Sequence, residues 1–377
     1  MFHPILFIAI VPLALTYLLT TSLMAATYTF FTNETIINEI KLGYEIDSTM
    51  IAIVTGSNTG LGYETAKELT RRGFTTIIAC RNEEKGKTAA MNINSSLQQC
   101  ELSSADCSTS SIGRAVFISP LNLSSFESVR SFAKTISAQF PKITLLVNNA
   151  GMNGDSNNID LNKQNNAQTK DGSFDLTFKV NFLSHFLLTN LLLPNLLHNK
   201  TFSRVVNLSS ITHHFSPPYT NNWHDAGRLR DPITTTSYMS SKLAMTLFTQ
   251  GLNFRYGADS LRSIAVNPGA VNSDIWRNSP DFIRNNIFAK IYLTNLQGST
   301  TSVAAAIGEI EEGVSYLHPY WEPFAADASV TNPLVEMLGV FAGVTKGKFR
   351  SPSDQSAEYL YEYALETTKS KPQLDQN

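Results

Sequence analysis

A chain of 377 residues, 42 % of them hydrophobic, can bury a sizeable core as one large α/β domain or two smaller ones. Its net charge of -2 provides no basic field, which excludes nucleic acid as an expected partner. Only 16 % of the residues are charged, against about 25 % in an average soluble domain, and part of that deficit lies at the N-terminus.

Residues 1–33 contain no Asp, Glu, Lys or Arg. Within them "PILFIAIVPLALTYLLTTSLMAA", Pro4 to Ala26, is apolar and long enough to cross a bilayer at about 20 residues per span. Pro12 would kink such a helix, which membrane helices tolerate. The expectation is a retained anchor over residues 1–26, since a basic n-region is missing. A signal peptide cut near the small residues Ser22, Ala25 and Ala26, or an organelle leader, are the alternatives. Glu34, Glu39, Lys41, Glu45 and Asp47 follow and leave the orientation poorly determined, because the bias that sets it is an excess of Lys and Arg. Residues 27–48 read as a mixed tether.

From residue 49 strands and helices alternate. "MIAIVTG" is a buried strand, Gly60 to Arg72 a helix, "FTTIIAC" a second strand and "EEKGKTAAMNI" a second helix. Asn94 to Gly113, polar and low in complexity, reads as a surface loop. Then come "AVFISP", "FESVRSFAKTISAQF", "ITLLVNNAG", a polar insert from Met152 to Gly172, and the apolar helix around "DLTFKVNFLSHFLLTNLL". The strand "RVVNLSS", a long loop, a helix carrying "SYMSSKLAM" and the strand "SIAVNPG" complete the alternation. This order implies an α/β fold, a doubly wound parallel sheet of Rossmann type, within residues 49–345. In the tail, residues 346–377, Ser351-Pro352-Ser353 starts a helix whose Ala357, Leu360, Tyr361, Ala364 and Leu365 recur at helical spacing and should pack back on the domain.

Three cysteines, Cys80, Cys100 and Cys107, make no disulfide framework and read as free thiols; Cys100 and Cys107 could pair only in an oxidising lumen. Sequons at Asn33, Asn94, Asn122, Asn199 and Asn207 are read as coincidences of an Asn/Ser/Thr-rich chain, because Asn122 and Asn207 fall in motifs that should be buried or cofactor-bound.

The first strand runs into "TGSNTGLG", Thr55 to Gly62. Gly56 and Gly60 allow a tight turn and Gly62 lets the helix lie close to the strand, so that a helix N-terminus can meet a pyrophosphate. Further on, Tyr238 and Lys242 lie four apart and share one helical face.

"TGSNTGLG", "NNAG" (Asn148 to Gly151), "YMSSK" (Tyr238 to Lys242) and "NPG" (Asn267 to Gly269) occur in the order found in short-chain dehydrogenases/reductases, which the chain resembles from about Met50 to Leu317. "ACRNEEKGKTAA", "DGSFDLTFKVNFLSHFLLT" and "NPGAVNSDIWR" are most similar to the membrane-anchored, retinol-dehydrogenase-like branch. The resemblance implies hydride transfer between a nicotinamide cofactor and an alcohol or carbonyl. Tyr238 would move the proton, Lys242 would favour the phenolate and hold ribose hydroxyls, Ser210 would bond the substrate oxygen, and Asn181 would hold a water connecting Lys242 to solvent. It assigns cofactor contacts to Gly56, Ser57, Asn58, Gly60, Leu61 and Gly62, to Asn149, Ala150 and Gly151, and to Pro268, Gly269, Val271 and Ser273.

The second strand ends in Cys80-Arg81-Asn82, with no acid for the adenosine ribose hydroxyls; Arg81 and Asn82 suit a 2′-phosphate instead, which predicts NADP(H). One departure is Asn122-Leu123, where the family has Asp-Leu; the asparagine carbonyl could still accept from the adenine amino group. His213, His214 and His224 lack the spacing of a metal site, and no metal is expected. Ile275, Trp276, Phe282, Ile283, Ile287, Phe288 and Ile291 are either core or a greasy lid over a lipophilic substrate of retinoid, steroid or fatty aldehyde type, and "YLHPYWEPF" could extend that wall. The expected protein is thus single-pass in a membrane, that of the endoplasmic reticulum, with its catalytic domain on the cytosolic side. A homodimer and a monomer are both compatible. The alternatives are a protochlorophyllide-reductase-like enzyme, against which Asn148 and Leu243 stand where that family has cysteines, and a non-catalytic NADP(H)-binding scaffold.

Overall fold

The computed structural model describes residues 37, 40–103, 113–153, 175–198, 202–216, 223, 235–257, 261–273, 275, 282, 292–317, 327–328, 346–347 and 354–370. Seven strands form one parallel sheet: β1 (Ile51–Thr55), β2 (Thr75–Ala79), β3 (Arg114–Val116), β4 (Leu145–Asn148), β5 (Ser203–Leu208), β6 (Leu261–Val266) and β7 (Tyr316–Leu317). Their order is β3-β2-β1-β4-β5-β6-β7, so the chain leaves β1 in both directions and a crevice opens where the order reverses, between β1 and β4. The register sets Ile53 beside Ile77 on one side and Leu146 on the other. A separate pair joins β8 (Asp327–Ala328) to β9 (Lys346–Gly347).

Helices cover both faces: α1 (Gly60–Arg71), α2 (Glu83–Ser103), α3 (Phe126–Gln139), α4 (Leu176–Leu197), α5 (Thr235–Tyr256), α6 (Asn295–Ile307) and α7 (Asp354–Thr368). Their starts are chemically marked. Ser125 caps α3 by accepting from Ser128 N, and Thr294 with Gln297 forms a reciprocal capping box on α6. Within α4 the turn Lys179–Leu183 is widened to a π-helix.

Because successive strand residues point to opposite faces, the sheet sorts its apolar side chains into two cores. Ile53, Ile77, Leu146 and Val205 meet α3, α4, α5 and α7 in a core rich in Phe178, Phe182, Phe186, Phe248 and Tyr361. On the opposite face Ala52, Val54, Ile78, Val147, Val206 and Ile264 meet α1, α2 and α6, which contribute the small side chains of Ala66, Ala89, Ala304, Ala305 and Ala306.

Helix α4 is rich in leucine and phenylalanine and, among the described residues, is the one helix long and apolar enough to cross a membrane. It is instead a core helix, and α7 explains why: Tyr361 of α7 packs its ring 5.0 Å from that of Phe186 and donates to Asn190 Oδ1 at 2.8 Å. Gly251 of α5 admits the same tyrosine closely, and Arg255 pairs with Glu358 and Glu362 at 2.6 and 2.9 Å. The tail helix therefore packs back on the domain as its spacing predicts.

Several expectations change. Residues 94–103 are helix and not loop: α2 runs to Ser103, and Asn94 bonds both backbone groups of Ala115 at 2.9 Å, pinning the helix to β3. "YLHPYWEPF" begins as the edge strand β7, with Tyr316 buried; its remainder lies outside the described residues. The stretch read as tether is partly docked. Ile37 and Ile40 are buried, Gly43 N donates to Ile307 O at 2.8 Å, and Glu309 N donates to Lys41 O at 3.0 Å. A side chain at Gly43 would strike Gly308 O. Beside it the buried Arg204 caps the end of α6 through Ala305 O and Gly308 O, flanked by the rings of Tyr44 and Phe202, and burial pushes its pKa down to about 10. The anchor at 1–26, Cys107, Asn33, Asn199, His224 and the apolar residues Trp276, Ile283, Ile287, Phe288 and Ile291 lie outside the described residues.

Candidate active site

The glycine loop leaves β1 with Gly56 at φ 68° and Gly60 at φ 63°, a left-handed backbone that favours glycine. Ser57 turns inward, donating to Val54 O at 2.6 Å and accepting from Ala79 N at 3.2 Å, while Asn58 and Leu61 stay partly exposed. A Cβ on Gly62 would fall 2.4 Å from Asn149 Nδ2 and 2.6 Å from Gly56 O, so the helix can approach the "NNAG" turn only with glycine there. That turn is stitched to β1: Thr55 Oγ1 accepts from Asn149 N and Ala150 N, both at 2.9 Å, and Asn149 Nδ2 donates to Thr55 O at 2.7 Å. Asn149 Oδ1 is buried with no hydrogen-bond partner among the described residues. An orphaned acceptor beside a cradle that admits no side chain fits a bound dinucleotide on the N-terminus of α1.

At the end of β2, Cys80 is buried and donates to Asn82 O at 3.2 Å, and burial pushes its thiol pKa up. Arg81 and Asn82 are exposed at the crevice edge. Asn122 departs from its expected use: its Oδ1 already accepts from Ser124 N at 3.1 Å and Ser124 Oγ at 2.7 Å, which occupies both lone pairs in a local turn. The neighbouring Leu123 is buried. On the far rim, Gly269 sits at φ 82° after Pro268, Val271 bridges to Leu293 and packs over Gly298, and Ser273 follows in the same turn. Of the expected lid, Ile275 is partly buried and Phe282 is 71 % exposed.

Tyr238, Lys242, Ser210 and Asn181 converge over the carboxyl ends of β4 and β5. Tyr238 hydrogen-bonds Ser210. Ser210 also caps the 3-10 turn Ile211–Phe215, accepting from Thr212 N, and His213 Nδ1 lies 2.6 Å from Ser210 O. Lys242 Nζ lies over the Tyr238 ring, 5.4 Å from its centre, and donates to Leu208 O at 2.9 Å. Asn181, in the π turn, clasps Met152 through Oδ1 to its N and Nδ2 to its O, and bonds Ser241 Oγ at 3.0 Å. Gly151 closes the group: a Cβ there would lie 3.5 Å from Asn181 Oδ1 and 3.7 Å from Lys242 Nζ.

The electrostatics of the chain's own groups bear on one expectation. Burial pushes the Tyr238 pKa up to about 12, with the Ser210 hydrogen bond pulling the other way, and burial pushes Lys242 down to about 8. The family resemblance implies an ammonium that, together with an oxidised nicotinamide, favours the phenolate. Here the ammonium faces the ring and a main-chain carbonyl instead of the phenolic oxygen, so desolvation wins.

Sequence reasoning missed the polar layer beneath these groups. Thr55 pairs with His185, Asn148 with Thr189 and Asn207, and Asn207 with Thr249, while Ser209 bonds Thr246 and Lys242 O. The signal was present: 185 and 189, like 242 and 246, stand one helical turn apart facing polar strand ends.

The chain matches the short chain dehydrogenase family over residues 50–222. It is 37 % identical over 266 residues to retinol dehydrogenase 12 of Mus musculus, covering 70 % of this chain and 75 % of that one. It is 35 % identical over 275 residues to retinol dehydrogenase 11 of Homo sapiens, covering 71 % and 76 %. A crystal structure of an uncharacterized protein from Mycobacterium paratuberculosis superposes with a TM-score of 0.58 at 27 % identity, over 89 % of this chain and 98 % of that one. The chain belongs to the short-chain dehydrogenase/reductase family, and within it to the retinol-dehydrogenase-like group. It is accordingly an oxidoreductase of a family that uses nicotinamide cofactors, acting on a small alcohol or carbonyl compound.

Proposed function

We propose that this protein is a membrane-tethered, NADP(H)-dependent oxidoreductase interconverting the alcohol and carbonyl forms of a lipophilic substrate, of retinoid, steroid or fatty aldehyde type. The observation that carries the reading is the convergence of Tyr238, Ser210 and Lys242 beside the Asn181 turn, directly above the glycine cradle. The names of the relatives support a lipophilic substrate. The apolar run Pro4 to Ala26 supports a tether. Arg81, exposed at the end of a strand that carries Cys80 where an acid would repel a 2′-phosphate, supports NADP(H).

The residues that would hold the cofactor are the loop Gly56–Gly62 and the α1 N-terminus for its phosphates, Arg81 for the 2′-phosphate, and Asn149, Gly151 and Lys242 toward the ring end. When bound, it donates or accepts the hydride. The chain's own residues supply the rest. Ser210 Oγ and Tyr238 Oη lie within hydrogen-bond reach of each other, so both hydroxyls can turn to donate to one substrate oxygen once the bond between them is given up. Tyr238, protonated at neutral pH, gives its proton to the carbonyl oxygen in reduction and takes it back in oxidation. Lys242 stays cationic below about pH 8 and offsets the phenolate formed after that transfer.

The test is turnover of a graded series of short and long aldehydes by the full chain with NADPH. Activity should rise with chain length, and Tyr238→Phe should lower kcat by roughly a hundred- to ten-thousand-fold. Arg81→Ala should raise the KM for NADPH roughly tenfold and leave that for NADH unchanged. A flat length profile, full activity of Tyr238→Phe, or a preference for NADH would each remove the corresponding part.

A further inference from the structure

His185 is fully buried one helical turn beyond Asn181. Its Nδ1 lies 2.9 Å from Asn181 O, and its Nε2 lies 2.9 Å from Thr55 Oγ1. Counting donors and acceptors settles which nitrogen carries the proton. Thr55 Oγ1 already accepts from Asn149 N and Ala150 N at 2.9 Å each, so its two lone pairs are used. Its own proton must go outward, and His185 Nε2 at 2.9 Å is nearer than Val147 O at 3.4 Å. Nε2 is then the acceptor, and Nδ1–H donates to the Asn181 carbonyl. Burial and the nearby Lys242 charge push the imidazole pKa down to about 4, so the ring stays neutral and one tautomer satisfies every partner.

The result is a directed chain of hydrogen bonds, from the Asn149 and Ala150 amides through the Thr55 hydroxyl and the imidazole to the Asn181 carbonyl. One end is the turn that lines the dinucleotide cradle. The other is the π turn whose side chain lies beside Lys242 and Gly151.

We propose that His185 is a positioning residue: as a neutral Nδ1–H imidazole it locks the Asn181 turn to the "NNAG" turn through Thr55, so that the cofactor cradle and the proton-handling group are held as one unit. Its effect on turnover rests on the oxidoreductase reading; its tautomer and its bonds do not. An apolar ring of similar size would fill the space but leave the Asn181 carbonyl without the imidazole donor and the Thr55 hydroxyl proton without its imidazole acceptor.

Two measurements on the full chain test this. The first is nitrogen NMR of protein labelled at histidine nitrogens, with the His185 signals identified by their loss in His185→Phe. If that variant does not fold, Thr55→Val identifies them, because it removes the donor to Nε2 while leaving the imidazole in place, although it also takes the acceptor from the Asn149 and Ala150 amides. The expected result is a neutral Nδ1–H tautomer that persists from neutrality down to about pH 5. An Nε2–H tautomer, or a charged ring near neutrality, overturns the proposal whether or not the protein turns over any substrate.

The second is a mutant cycle in NADPH-dependent aldehyde reduction. His185→Phe and Thr55→Val should each lower kcat about tenfold, with KM for the aldehyde within about twofold of wild type and Thr55→Ser close to wild type. The double variant should be no worse than either single one. Additive losses would mean that the two side chains act separately and would sink the coupling. Inactive wild-type protein with the Nδ1–H tautomer in place would instead count against the oxidoreductase reading.

Discussion

The two faces of the sheet are built from opposite materials. One is thick and aromatic, with Phe178, Phe182, Phe186, Phe248 and Tyr361 stacked between the strands and α7. The other is thinner in side-chain bulk, with Ala66, Ala89, Ala90, Ala304, Ala305 and Ala306 interspersed among the aliphatic Leu69, Ile93, Leu97 and Ile307 of α1, α2 and α6. The difference follows the chemistry each face carries. The thin face brings a helix N-terminus and a glycine loop as near to the crevice as backbone allows. The thick face carries Asn181, Tyr238 and Lys242 on α4 and α5, and its polar layer separates those groups from the aromatic core.

That contrast can be broken from both sides. Phe186→Ala, on the thick face, should cost the most, about 3–5 kcal/mol by denaturant unfolding, because its ring has Phe182, Phe248 and Tyr361 around it. A loss below about 1 kcal/mol would show that the aromatic core refills easily. Ala305→Leu, on the thin face, should cost about 1–3 kcal/mol by overpacking although it adds apolar volume. Stabilisation there would show slack where close packing is claimed.

The third effect, about 1.4 kcal/mol per pH unit, separates the titrating groups of the thick face. Lys242 is lowered to about 8 and Tyr238 raised to about 12, so carbonyl reduction should hold steady below pH 8 and fall about tenfold per unit above it as the lysine loses its charge. Lys242→Arg should move that limb upward in a kcat/KM profile; an unmoved limb would assign it elsewhere. Smallest is Arg255→Ala, which loosens α7 from α5 where Glu358 and Glu362 are largely exposed, and should change stability by no more than about 1 kcal/mol.

The alternation of apolar runs and glycine punctuation made the sheet legible, because parallel strands are buried on both faces and read as plain hydrophobic runs. Tyr238 and Lys242 were legible because one helical turn of spacing is a local property. What the sequence hid was long-range. Nothing local shows that Asn94 would bond Ala115 across 21 positions and so extend α2 through a polar stretch. Nor does spacing reveal that Asn122 commits its carbonyl to Ser124, or that the Lys242 ammonium faces the Tyr238 ring and not its oxygen. His185 reads as one more residue of an apolar helix until Thr55, 130 positions earlier, is brought against it.

Helix α6 is a rod with different duties at its two ends. Near its start, Gly298 packs against Leu61 of the glycine loop; at its finish, Ile307 and Gly308 grip the strap of residues 41–43. Thirteen residues at about 1.5 Å each put those ends roughly 20 Å apart. The docked strap therefore ties the chain ahead of β1 to the pole of α6 opposite the glycine loop, so a pull on residues 41–43 loads the far end of the helix and not the cradle.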